Sequence, residues 1–166
     1  MVDSFRSGAE MAVEAGQQAP DAVLVNGERK AVKVSELRGH TSVLAFFPAA
    51  FTGTCTKEMC RFRDDLSRFS SLSAQVYGIS ADTPWVLTEF AKANNLTFPM
   101  LSDFNHQAMK AFGVYEPAFA GVLDGIARRS VFVIDKNGKV VYAWVSDKGG
   151  QEPPYEDVEA AVKKAG

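Results

Sequence analysis

Residues 42–55 of this 166-residue chain read Ser-Val-Leu-Ala-Phe-Phe-Pro-Ala-Ala-Phe-Thr-Gly-Thr-Cys, and this stretch joins a predicted strand to a predicted helix. Its first six residues form a short apolar run that is rich in strand formers. Pro48 ends the predicted strand because proline has no N–H for a sheet ladder. Apolar residues then recur at helical spacing, which predicts an amphipathic helix. They are Cys55, Met59, Phe62, Leu66 and Phe69.

The next segments alternate strand and helix patterns. Residues 75–80 (QVYGIS) predict a second buried strand. The triplet Asp82-Thr83-Pro84 is typical of a helix start, with Asp82 or Thr83 as the cap and Pro84 at the first helical position. This helix would run to about Asn94, and residues 103–112 suggest a shorter one.

The last third of the chain predicts a hairpin and a final helix. Residues 129–135 (RSVFVID) and 139–145 (KVVYAWV) read as strands joined by a tight turn at Asn137-Gly138. Residues 155–165 place acids first and lysines last, which suits the helix dipole. The element order predicts an α/β protein, a thioredoxin-like fold whose central mixed β-sheet carries helices on both faces.

Length and charge exclude several functions. We expect an N-terminal extension over residues 1–14 and one domain over residues 15–166. Lys and Arg total 18 and Asp and Glu total 20, so the net charge is −2, which argues against nucleic-acid or membrane-surface binding. No apolar run approaches the roughly 18 residues of a membrane span. The N-terminus lacks a signal-peptide pattern, so we expect a cytoplasmic protein with reduced thiols.

Cys55 is the first candidate for chemistry. It falls where the predicted helix begins, and unpaired N–H groups and the helix dipole favour a thiolate there. Thr52 or Thr54 could cap the helix or donate a hydroxyl to the sulfur or to a bound oxygen. Since Cys55 also lies on the apolar stripe, it could instead be a small core residue.

The sequence gives little support to other kinds of site. The only histidines are His40 and His106, so a Cys–His pair would depend on tertiary contacts. Two Cys and two scattered His do not form a zinc cluster, and we expect no metal and no cofactor. The glycines match no phosphate-binding loop.

Cys60 is the second cysteine, and four residues separate it from Cys55. On an ideal helix it lies about 140° around the axis from Cys55, and the two Cα atoms are roughly 8–9 Å apart. A disulfide needs Cα atoms closer than about 7 Å, so the pair can bond only if the helix unwinds. Geometry alone therefore favours a partly exposed, inert thiol.

Taken together, these residues resemble the peroxiredoxin family. Its active-site pattern of Pro, three residues, Thr, two residues and Cys is matched by Pro48, Thr52 and Cys55. Glu58 falls where the family commonly has Glu or Gln, and Arg129 matches its second-half arginine. Residues 98–103 (FPMLSD) also resemble a familiar stretch of the family, and the likeness covers about nine-tenths of the chain.

The resemblance implies a role for each of these residues. The Cys55 thiolate would attack a peroxide oxygen, and Arg129 would favour the thiolate and bind the peroxide. Thr52 would hold the thiolate or the substrate, Pro48 would shape the pocket, and Glu58 would orient Arg129. Taken singly, each has a structural alternative, and Arg128 could replace Arg129.

The role of Cys60 stays open at this point. Its spacing is similar to the bacterioferritin-comigratory (Q-type) branch, in which a second cysteine resolves the first and thioredoxin reopens the disulfide. Residues 46–55 (FFPAAFTGTC) look closer to the E-type branch, which often works with one cysteine and an external thiol. A redox sensor or relay would use the same cysteines. The resemblance allows a monomer or a homodimer.

Overall fold

The computed structural model describes residues 11–148 and 150–166, and these contain nine strands. The strands are β1 (Val23–Val25), β2 (Ala31–Lys33), β3 (Thr41–Phe46), β4 (Ala74–Ser80), β5 (Met100–Ser102), β6 (Tyr115–Glu116), β7 (Ile126–Ala127), β8 (Ser130–Ile134) and β9 (Val140–Val145). Seven of them form one mixed sheet in the order β2-β1-β5-β4-β3-β8-β9, and β6 and β7 form a separate hairpin. This confirms the predicted α/β fold class.

Helices cover both faces of the sheet, as predicted. They are α1 (Gly53–Asp64), α2 (Leu66–Ser71), α3 (Pro84–Ala93), α4 (Gln107–Ala111) and α5 (Tyr155–Ala165), and a 3-10 turn spans Val34–Leu37. Residues of α1, α2, α3 and α5 share one core with one face of the sheet. Residues of α4 share a second core with the other face.

Strand β3 lies in the interior of the sheet, between β4 and β8, and is buried along its whole length. Its side chains alternate between faces, so Val43 and Ala45 belong to one core and Leu44 and Phe46 to the other. A strand buried on both faces reads as a continuous apolar run, which is why the sequence pattern was strong here.

The sheet topology places the end of β3 beside the start of β8. Strand β3 runs parallel to β4 and antiparallel to β8, and Phe46 pairs with Ser130. The chain leaves β3 through Phe47, whose N–H donates to Ile79 O at 2.9 Å, and enters β8 from Arg129. The start of α1 and the residue before β8 are therefore neighbours although about 75 positions separate them in sequence.

Two helices differ from the sequence prediction. The apolar stripe that continues from Cys55 to Phe69 is divided at Asp65 into α1 and α2. Helix α4 is shorter than residues 103–112, because His106 adopts a left-handed φ of 64° and Asp103 instead accepts hydrogen bonds from two N–H groups at the helix start.

Part of the predicted N-terminal extension, residues 1–10, lies outside the described residues. The part that follows contacts the domain, since Val13 N–H donates to Phe112 O at 3.0 Å. The domain boundary at residue 15 stays a prediction. Among the described helices, none has the length and apolar character needed to cross a membrane.

Candidate active site

Cys55 occupies the first turn of α1. Thr52 is the capping position with an extended backbone, and Gly53 begins the helix, so Cys55 is its third residue. The side chain is only 1% exposed and belongs to the core that α1, α2, α3 and α5 share with the sheet. Burial alone fits a packing role, but the thiol also has a charged neighbour.

That neighbour is Arg129, which holds the sulfur and a carboxylate at once. Its Nη2 donates to Cys55 Sγ at 3.3 Å, and its Nη1 donates to Glu58 Oε1 at 3.3 Å. Arg129 is 6% exposed, so this guanidinium lies in the interior and its charge is only weakly screened by solvent. The structure thereby distinguishes Arg129 from the half-buried Arg128, whose backbone N–H pairs with Val114 O.

Glu58 lies one helical turn beyond Cys55 and is fully buried. Burial raises the pKa of Glu58 to about 8, and the nearby Arg129 only partly opposes that rise. Burial would lower the pKa of Arg129, but the Glu58 carboxylate and the Cys55 sulfur raise it. Glu58 Oε2 has no hydrogen-bond partner among the described residues. Cys55, Arg129 and Glu58 thus form a buried, hydrogen-bonded trio.

The loop before α1 carries the other sequence candidates. Pro48 is buried, and Thr52 and Thr54 are exposed and half-buried. Thr52 sits at the capping position, but its Oγ1 donates to Ala49 O at 2.8 Å and caps no helix N–H. With its proton used in this way, the Thr52 oxygen can only accept a further hydrogen bond.

Cys60 faces a different part of the molecule. Its Sγ is half-buried and donates to Asn94 Oδ1, at the end of α3, at 3.8 Å. Both cysteines are free thiols on one continuous helix. The structure therefore brings Cys55, Glu58 and Arg129 together and leaves Cys60 apart from them.

Neither histidine reaches the thiol in the structure. His40 pairs with the Tyr77 hydroxyl at 3.2 Å, and His106 packs against the ring of Tyr115. Within residues 11–148 and 150–166, no group of three or more His, Cys, Asp or Glu side chains is placed to hold a metal ion.

The sequence reasoning missed one contact to the active-site loop. Thr83 caps α3 by accepting from Val86 N–H, so the Asp82 side chain is left for another partner. Asp82 Oδ2 accepts from Ala50 N–H at 2.8 Å, inside the loop that precedes Cys55. The presence of two candidate caps in succession was the only sequence signal for a second role.

The structure thus places a helix-start thiol against a buried arginine on a thioredoxin-like sheet, and comparisons with known proteins identify the class of enzyme. The model of the AhpC/TSA family matches residues 15–143, and the chain belongs to this family. Over 136 residues it is 38% identical to peroxiredoxin Bcp of Bacillus subtilis, covering 81% of this chain and 86% of the relative.

Solved structures agree with this membership. Peroxidoxin BcpB from Mycobacterium tuberculosis superposes with a TM-score of 0.81 at 29% identity, over 92% of this chain and 97% of that one. A peroxiredoxin-like protein from Aquifex aeolicus gives a TM-score of 0.85 at 29% identity, over 93% and 89% of the two chains. The predicted resemblance and the enzyme class, a peroxiredoxin, are confirmed.

Proposed function

We propose that the chain reduces hydrogen peroxide and organic hydroperoxides at Cys55. The observation that carries this proposal is the 3.3 Å contact from Arg129 Nη2 to Cys55 Sγ in the interior. A buried guanidinium favours the thiolate, which is the nucleophilic form of cysteine. It also offers hydrogen bonds to the peroxide oxygens as charge develops along the O–O bond.

In the first step the Cys55 thiolate attacks the terminal oxygen of the hydroperoxide. An S–O bond forms as the O–O bond breaks, and the alkoxide or hydroxide leaves and takes a proton to become alcohol or water. Sulfur is oxidised to sulfenic acid and the peroxide is reduced. Thr52 accepts a hydrogen bond from the substrate, Pro48 and Thr54 shape the pocket, and Glu58 keeps Arg129 in place.

In the second step the Cys60 thiol attacks the Cys55 sulfenic acid, which forms a disulfide and releases water. Because Cys60 is directed toward Asn94 while α1 is intact, the first turns of the helix must unwind before this step. A dithiol reductant such as thioredoxin then reduces the disulfide by exchange and returns both thiols.

The setting we propose follows from this cycle. Two free thiols suit the reducing cytoplasm, where such a dithiol donor is present. The enzyme would act as a monomer or as a homodimer. If Cys60 takes no part, an external thiol would reduce Cys55 directly.

The test is a peptide map by mass spectrometry after one equivalent of hydrogen peroxide, without reductant. We expect a bond between Cys55 and Cys60 in the wild type. In Cys60→Ser we expect a sulfenic acid that can be trapped on Cys55, and Cys55→Ser serves as the control that consumes no peroxide.

The outcomes separate the parts of the proposal. A trapped sulfenic acid on Cys55 of the wild type, with Cys60 still free, would remove Cys60 from the cycle and make this a one-cysteine enzyme. Reduced Cys55 in the presence of remaining peroxide would overturn the peroxidase proposal. Turnover with thioredoxin and its reductase tests the reductant.

A further inference from the structure

The loop between β3 and α1 holds a bulky residue in a conformation that side chains rarely adopt. Phe51 has a φ of 66°, in the left-handed region that favours glycine. Its ring is 58% exposed and packs on one edge against the buried Phe90, with centroids 5.2 Å apart. Such a strained residue persists only where its surroundings fix it, and active sites are a common place for it.

One side chain from outside the loop fixes the preceding residue. Asp82 Oδ2 accepts the N–H of Ala50 at 2.8 Å, and the hydroxyl of Ser80 donates to the same oxygen at 2.6 Å. The backbone of Asp82 is held as well, since its N–H donates to Ser80 Oγ and its carbonyl accepts from Ser102 Oγ. Both the side chain and the backbone of Asp82 are therefore held by hydrogen bonds at the carboxyl ends of β4 and β5.

The 2.8 Å hydrogen bond from Ala50 N–H to Asp82 Oδ2 therefore ties the loop to the end of β4 and resists its displacement. Ala50 is two residues before Thr52, the capping position of α1. A shift at Ala50 would move the helix start, and with it Thr52 and the sulfur of Cys55, relative to Arg129, the residue before β8.

We propose that Asp82 is a positioning residue for peroxide reduction, which it supports by fixing Ala50 and hence the loop that carries Thr52 and Cys55. The inference rests on the proposed function, in which Cys55 attacks the peroxide. Asp82 acts through the loop and not on substrate. Reactions that need the peroxide aligned between Cys55 and Arg129 depend on it, whereas reactions that need only a thiolate do not.

The test compares two reactions of Cys55 in the Cys60→Ser background. Oxidation of Cys55 by hydrogen peroxide is followed by stopped flow. Alkylation of Cys55 by iodoacetamide is measured at the same pH, because this reaction needs the thiolate but no alignment of an O–O bond. In Asp82→Ala we expect the ratio of the two rate constants to fall by about 10- to 100-fold, as misplacement of reacting groups typically costs. Asp82→Asn keeps an oxygen acceptor for Ala50 and should restore most of the ratio.

Two further variants keep the proposal falsifiable. Asp103→Asn is the control, because Asp103 is a second aspartate whose side chain accepts backbone N–H groups, those of Ala108 and Met109 at the start of α4. It should lower the melting temperature and leave the ratio unchanged. If Asp82→Ala fails to fold, Ser80→Ala, which removes one donor to Asp82, should lower the ratio by a smaller factor.

The results that would overturn the proposal differ from those that would overturn the proposed function. An unchanged ratio in folded Asp82→Ala, or in Ser80→Ala if that variant replaces it, contradicts the positioning role. So does an equal fall in Asp103→Asn. Wild-type Cys55 that reacts with iodoacetamide but not with hydrogen peroxide contradicts the peroxidase function itself.

Discussion

Helix α1 carries both cysteines, and its two halves are held in different ways. The first half is tied to the sheet through a buried arginine, Arg129, which contacts both Cys55 and Glu58. The second half is tied to α3, where Cys60 donates to Asn94 Oδ1 and Arg63 donates to the Asn94 carbonyl at 2.7 Å. The first set of contacts suits chemistry, and the second joins α1 to α3 through a long thiol bond and a partly buried arginine.

This difference in contacts suits the two cysteines of α1 to different steps of a reaction. A thiol that accepts a hydrogen bond from a buried guanidinium is held in one geometry. A half-buried thiol with a long bond to an amide is easily released. In the proposed cycle, α1 is intact when Cys55 reduces the peroxide, and it unwinds when Cys60 forms the disulfide.

The largest effect is expected from Arg129→Gln, which removes the charged contact in the first half of α1. Oxidation of Cys55 by hydrogen peroxide should slow by about 10²–10³-fold, as the loss of a preorganised donor typically costs. Stopped-flow measurement of the second-order rate constant checks this. Arg128→Gln is the matched control and should stay close to the wild type. A loss below about threefold in Arg129→Gln would remove Arg129 from the mechanism.

A second test concerns the protonation of Glu58. Burial raises the pKa of this side chain from 4.5 to about 8. Between these values the folded protein keeps a proton that the unfolded chain releases. The resulting stabilisation is complete below about pH 4.5 and is lost as the pH rises through about 8. Between pH 5.5 and 7.5 the free energy of unfolding of the wild type should fall by roughly 2–3 kcal/mol more than that of Glu58→Gln.

Urea unfolding at these two pH values, under reducing conditions, measures the difference. Glu36→Gln changes an exposed carboxyl far from Arg129 in sequence and should follow the wild type. Parallel pH dependence of the wild type and Glu58→Gln would mean that Glu58 stays ionised throughout, and that Arg129 outweighs burial in setting its pKa.

Much of the fold was predictable because its patterns are local. The apolar run over β3, the hairpin of β8 and β9 and the helix α5 were each identified from periodicity and turn residues, and the structure places them within one or two residues. The identity of the site residues came from the family pattern, which fixes the order of Pro48, Thr52 and Cys55. Their contacts depend on strand order, since only the pairing of β3 with β8 brings Arg129 to Cys55.

Contacts made by ordinary polar side chains were not predictable. Asp82 looks like a helix cap in sequence, and only the structure assigns the cap to Thr83 and the Ala50 N–H to Asp82. Asn94 looks like the end of a helix, which it is, but its amide also contacts Cys60. No spacing rule distinguishes such residues, because their partners lie 32 to 34 positions away in the chain.

The contacts of the second half of α1 are tested by Asn94→Ala. The change removes the acceptor of the Cys60 thiol and a bond from Asn94 Nδ2 to Phe90 O. Only the first bond holds Cys60, and a long bond from a thiol contributes at most about 1 kcal/mol, so conversion of the sulfenic acid to the disulfide should become no more than about fivefold faster. Quenched-flow mass spectrometry measures this step. Lys92→Ala, an exposed change on the same helix, is the control, and a slower step in Asn94→Ala would contradict the prediction.

The smallest effect is expected from Lys57→Ala, in the same helical turn as Glu58 but on its solvent side. Lys57 is 74% exposed and lies 4.0 Å from Glu152, so its loss should change stability by less than about 0.5 kcal/mol. The rate of Cys55 oxidation should not change, because solvent and salt screen this charge while Arg129 is buried. If Lys57→Ala slowed oxidation tenfold at low salt and not at high salt, nearby surface charge would govern Cys55 and the buried contact with Arg129 would not.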